Sequence, residues 1–129
     1  MKKITESFFN KEISGLDINK GLERYDSDKK IYLKLLRSYA VNVGAMLGDI
    51  ENVSEETLAN YKIKVHSIKG ISLDIFAQKI GNDAKALEEA AKVNDFEFIN
   101  KNNPIFIEAA RKLVIDIEDM ISSCMGKNI

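Results

Sequence analysis

The chain has 129 residues, 45% of them hydrophobic and 30% charged, with a net charge of −1. That is enough for one domain with a real core and too little for two. The balanced charge excludes a nucleic-acid surface or a charged tail, and no apolar run is long enough to span a membrane or serve as a secretory core.

Cys124 is alone, so no internal disulfide exists and a reducing cytoplasm is the expected setting. It reads as a small apolar residue, buried or half-buried.

The apolar pattern is helical nearly throughout, and no strand-like alternation competes with it. A short helix is expected over about 6–13, carrying Phe8 and Phe9, with Gly15 breaking it. Asp17 opens a second short helix reaching Tyr25. Asp26-Ser27-Asp28 then caps a long helix whose apolar positions are Ile31, Leu35, Tyr39, Val43, Met46 and Ile50. Ser54 is the expected N-cap of the next helix, with Glu55 and Glu56 in its first turn, and that helix runs to about Ile80. Its buried stripe gathers Leu58, Tyr61, Val65, Ile68, Ser72, Ile75 and Phe76. Gly81-Asn82 ends it and starts a helix with Ala84, Leu87, Ala90 and Ala91 inward. After a turn at Asn94-Asp95, Phe96, Phe98 and Ile99 form a short helix. Asn103 and Pro104 cap and start the last one, with Phe106, Ala109, Leu113, Ile117, Met120 and Cys124 as its stripe. Four helices of useful length joined by short connections imply an all-α fold, an antiparallel up-down four-helix bundle with short extra N-terminal helices. The bundle core spans about 28–124 and the N-terminal extension 1–27, all in one domain over 1–129.

The chemistry concentrates at the only histidine, His66. At about 100° per residue it lies about 130° from the middle of its helix's buried stripe, so the imidazole faces out. Lys69, three residues on, is placed to reach a group carried on the ring. Gly70 sits mid-helix on the same outward side, where it costs about 1 kcal/mol relative to alanine; close approach of another backbone is one reason to keep it. Ala59, Ile63, Leu73 and Ala77 make the surrounding surface partly apolar, with Lys62, Lys69 and Asp74 as a polar rim, a pattern suited to docking. An exposed nucleophile beside a cation and a cleared approach suits the carriage of a phosphoryl group. Other chemistries lack their parts. No Glu-x-x-His pair supports a metal site, no Gly-x-Ser-x-Gly elbow is present, Ser67 points about 100° away from His66, and the glycines form no nucleotide loop. A general-base enzyme built on His66 has no evident partner residue or pocket.

The sequence resembles the histidine-containing phosphotransfer (HPt) domains of bacterial phosphorelays. The likeness rests on His66-Ser67-Ile68-Lys69-Gly70 and on the following Ala84-Lys85-Ala86-Leu87-Glu88-Glu89-Ala90. It extends to the opening Gly15-Leu16-Asp17, Gly21-Leu22-Glu23-Arg24-Tyr25 and Tyr32-Leu33-Lys34-Leu35-Leu36. It departs from the family at Leu73 and Phe76, where members often carry small residues; Phe76 is expected in the core. The resemblance implies that His66 accepts a phosphoryl group from a receiver-domain aspartyl phosphate and passes it to another receiver's aspartate. Lys69 would stabilise the phosphoryl oxygens and Gly70 would admit the receiver's loops. Receiver domains of response regulators and a hybrid histidine kinase are the implied partners. The receiver would supply Mg²⁺, and the chain needs no cofactor of its own. It would be a phosphocarrier without autonomous kinase activity, monomeric, with no nucleic-acid or membrane partner. Its small size and Met1 favour a free-standing carrier. The alternative is a non-phosphorylated helical adaptor that docks and modulates a receiver or kinase.

Overall fold

The structure, a computed structural model, describes residues 12–126, with side chains through Ser123. Phe8, Phe9 and most of the helix expected over 6–13 lie outside the described residues, as does the side chain of Cys124. Five helices are described: α1 Ile18–Arg24, α2 Lys29–Asp49, α3 Leu58–Asp74, α4 Gln78–Lys92 and α5 Phe96–Gly126. The four long ones pack in a ring, α2 on α3, α3 on α4, α4 on α5 and α5 on α2, and α1 leans on α2. No helix among the described residues is long and apolar enough to cross a membrane.

Local chemistry explains where several helices start. Asp17 Oδ1 accepts from the Lys20 amide at 3.1 Å and opens α1. Asp28 Oδ1 accepts from the Lys30 and Ile31 amides and opens α2, and Asp95 does the same for Phe98 in α5. Ser54 does not cap α3. Its amide donates to Thr57 Oγ1 at 2.8 Å, so the two residues close a turn and the helix begins after Thr57.

The buried face of α2 keeps Tyr39, Val43 and Ile50 of the expected stripe and exchanges the other positions. Tyr32, Leu36, Tyr39, Ala40, Val43 and Leu47 are buried, whereas Ile31 is 46% exposed and Leu35 half-buried. Two tyrosines anchor this face, Tyr39 as expected and Tyr32 in place of Ile31, because their rings can be buried once their hydroxyls find partners. Tyr32 Oη donates to the Ile75 carbonyl at 2.9 Å, and Tyr39 Oη pairs with Ser72 Oγ at 2.9 Å.

The largest departure is the end of α3. The helix stops at Asp74, not near Ile80, and the chain reverses through Phe76 at φ +67°. A non-glycine residue in this region costs about 1–3 kcal/mol and persists only where its surroundings hold it. Here they do: the Ala77 amide bonds the Ser72 carbonyl, the Asp17 amide bonds the Phe76 carbonyl, and Tyr25 and Tyr32 donate to the carbonyls of Asp74 and Ile75. Phe76 is half-buried rather than a core residue. Gly81 is therefore not a breaker; it is buried inside α4, where a Cβ would lie 2.5 Å from Leu73 Cδ2.

The last helix is continuous through Pro104. Asn103 is not a cap but a buried clamp, 3% exposed. Its Nδ2 donates to the Ile50 carbonyl at 2.8 Å and its Oδ1 accepts from Tyr61 Oη at 2.8 Å. Pro104 leaves the Asn100 carbonyl without its helical donor, and Asn100 is exposed, so water can take that place.

Candidate functional site

His66 projects from the outward side of α3, its side chain 63% exposed, while Tyr61, Val65, Ile68 and Ser72 of the same helix are buried. The helix thus splits into a packed face that fixes its position and an open face that carries the ring. Gly70 lies on the open face, and nothing stands within 4 Å of where its Cβ would be. It has no close inward contact to explain it.

The residue that sequence reasoning missed is Glu88 on α4. Its carboxylate is buried, yet it meets both polar groups of the site. Oε2 lies 2.7 Å from His66 Nδ1 and Oε1 lies 2.8 Å from Lys69 Nζ. Burial by itself pushes the carboxyl pKa up; the hydrogen bonds from Lys69 and His66, with their charges, outweigh it and hold Glu88 below its usual range. An ionised carboxylate only accepts hydrogen bonds. Nδ1 therefore carries a proton, and in the neutral form of the ring this leaves the lone pair on Nε2. The signal for Glu88 was present in the sequence: it lies four residues after Ala84 and three before Ala91, on the apolar stripe of α4.

A general-base reading of His66 thus gains a partner residue in Glu88. Lys69 also differs from expectation. Its side chain is only 24% exposed and reaches across to Glu88 rather than standing free beside the ring.

The expected docking residues divide. Ala59, Lys62, Ile63 and Asp74 are exposed, Ile63 at 62%. Leu73 is half-buried, folded against Gly81. Ala77 is fully buried and drops out of the surface, because the reversal at Phe76 turns it into the core. Among the described residues no group of three or more His, Cys, Asp or Glu side chains could hold a metal ion.

No family model matches the chain, and no curated protein or solved structure matches it. The site is read from its own geometry.

Proposed function

We propose that this protein is a phosphorelay carrier built on an up-down four-helix bundle, and that His66 takes a phosphoryl group from a receiver-domain aspartyl phosphate and hands it to another receiver's aspartate. The observation that supports this reading most is the exposed imidazole whose Nδ1 is held by a buried carboxylate. The Nε2 lone pair attacks phosphorus. The bond from phosphorus to the aspartyl oxygen breaks, and the electron pair leaves with the receiver's carboxylate. The ring, now carrying phosphate on Nε2 and a proton on Nδ1, is a cation that Glu88 stabilises at 2.7 Å. Lys69, one turn along the helix, is paired with Glu88 at 2.8 Å and swings from it to the phosphoryl oxygens when they arrive.

In this reading the receiver supplies Mg²⁺ along with the aspartate, and a hybrid histidine kinase in the cytoplasm is the upstream source. Gly70 leaves room for the receiver's loops, and Ala59, Lys62, Ile63 and Asp74 form the exposed docking surface. The test is incubation with a phosphorylated receiver and Mg²⁺. An acid-labile, base-stable phosphate should appear on the wild-type chain and be absent from His66→Gln. Receiver binding without any label would favour the adaptor role instead.

A further inference from the structure

The outward face of α5 carries a pattern that the His66 site does not use. Ala110 is fully buried, and over the stretch from Lys101 to Asp119 the residues opposite it on the helix, within about 40° of the far side at about 100° per residue, are Lys101, Ile105, Glu108, Lys112, Ile115 and Asp119. All six are exposed, Ile105 at 63% and Ile115 at 53%. They follow one another at alternating steps of four and three residues, the spacing of a coiled-coil seam. Lys101, Glu108 and Asp119 make no ion pair among the described residues; Lys112 pairs only with Asp116, at 2.9 Å.

We propose that this seam pairs with the same seam of a second copy of the chain, antiparallel, about a two-fold axis passing at the level of Ala110. The pattern is symmetric about that residue. Ile105 then meets Ile115 of the other copy, Glu108 meets Lys112, and Lys101 meets Asp119, each contact made twice. In a parallel pair the same positions would set Lys101, Glu108, Lys112 and Asp119 each against its own like charge. That difference selects the antiparallel arrangement by repulsion as well as attraction. The family resemblance implies a monomer, and the seam holds just two apolar residues. A contact of this kind is small, below about 1,200 Å², and belongs with weak, concentration-dependent interfaces. It uses no residue of the His66 site, so it stands or falls independently of the phosphocarrier reading.

Sedimentation of the full chain over a wide concentration range tests this, with circular dichroism to confirm that each variant is folded. Wild type should shift from monomer toward dimer as concentration rises, and less so at high salt. Glu108→Lys or Lys112→Glu should each weaken association about tenfold by setting like charges together. The double variant Glu108→Lys/Lys112→Glu should regain it. In a Cys124→Ser background, a mixture of Ile105→Cys and Ile115→Cys should cross-link between the two variants. A wild type that stays monomeric at every concentration overturns the proposal. So does a dimer indifferent to the charge reversals, or self-linking of Ile105→Cys in place of the mixed product.

Discussion

His66 and Glu88 stand 22 residues apart in sequence and share a 2.7 Å contact between Nδ1 and Oε2. One partner is exposed and the other buried. Nδ1 is engaged by the buried carboxylate while most of the ring stays exposed, so what Glu88 does to the ring can be tested apart from what the ring does itself.

Glu88→Gln is expected to fold and to transfer slowly. A glutamine oxygen can still accept from Nδ1, but its amide group then confronts the Lys69 ammonium, donor against donor, and the charge that stabilises a phosphorylated ring is gone. Phosphoryl transfer from a labelled receiver, set beside ¹⁵N spectra of the ring, checks both points. The spectra should show a weaker preference for the Nδ1-protonated tautomer in the variant. Unchanged tautomer and unchanged rate would remove Glu88 from the mechanism.

Lys69→Met is expected to destabilise the fold as well as impair transfer. The residue lies on the outer half of α3 yet its ammonium pairs with a buried carboxylate whose other side-chain partner is the His66 ring. Removing it leaves His66 as the sole partner, at a cost of about 1–3 kcal/mol. Denaturant titration measures this, and adding Glu88→Gln should recover part of the loss because the buried charge goes with it. An unchanged midpoint for Lys69→Met alone would show that the ion pair carries no stability.

The folded pKa of Glu88 is depressed, so its contribution to stability is present above its ordinary value of 4.5 and is lost as pH falls through the lower folded value. The stability gap between wild type and Glu88→Gln should therefore be widest near neutrality and close in acid below that value. Urea titrations at a series of pH values measure it. A gap that widens toward acid has the wrong sign.

The legible part of this chain was whatever repeats along a single helix. The outward placement of His66, the open face around Gly70 and the inward alanines of α4 follow from spacing, and the caps at Asp17 and Asp28 from residue type at a helix start. What could not be read depends on contacts between helices. Glu88 sits on an apolar stripe where a carboxylate is unfavourable until Lys69 and His66 arrive from α3. The reversal at Phe76 has no glycine or proline to announce it. It is held by tyrosine hydroxyls from residues 25 and 32 and by the Asp17 amide, all distant in sequence. Asn103 beside Pro104 has the form of a helix start, and only the buried Ile50 carbonyl and Tyr61 hydroxyl show its actual use.

Asn103→Leu should be one of the more damaging substitutions outside the site. It strands the Ile50 carbonyl and the Tyr61 hydroxyl together, at about 1–3 kcal/mol for each buried group left unpaired. Adding Tyr61→Phe should cost less in that background than in wild type, since the hydroxyl has already lost its acceptor. Thermal melts of the four proteins in the cycle give the coupling. Strict additivity would mean that the two side chains do not act together.

Gly70 and Gly81 should answer oppositely to the same change. Gly70→Ala meets open space and replaces glycine inside a helix, so it should raise stability by up to about 1 kcal/mol. Gly81→Ala drives a methyl to 2.5 Å from Leu73 Cδ2 and 2.8 Å from its Cγ, and should cost about 1–3 kcal/mol as α3 and α4 are forced apart. Leu73→Ala in the Gly81→Ala background removes the clash and should restore part of that loss, even though Leu73→Ala alone is destabilising. Function should sort the same two glycines the other way. Gly70→Gln keeps the fold but crowds the approach to His66, so receiver binding and transfer should both weaken. The two sets of measurements together separate a glycine kept for helix packing from one kept for access: a Gly70→Gln variant that binds and transfers normally would leave Gly70 without the role assigned to it.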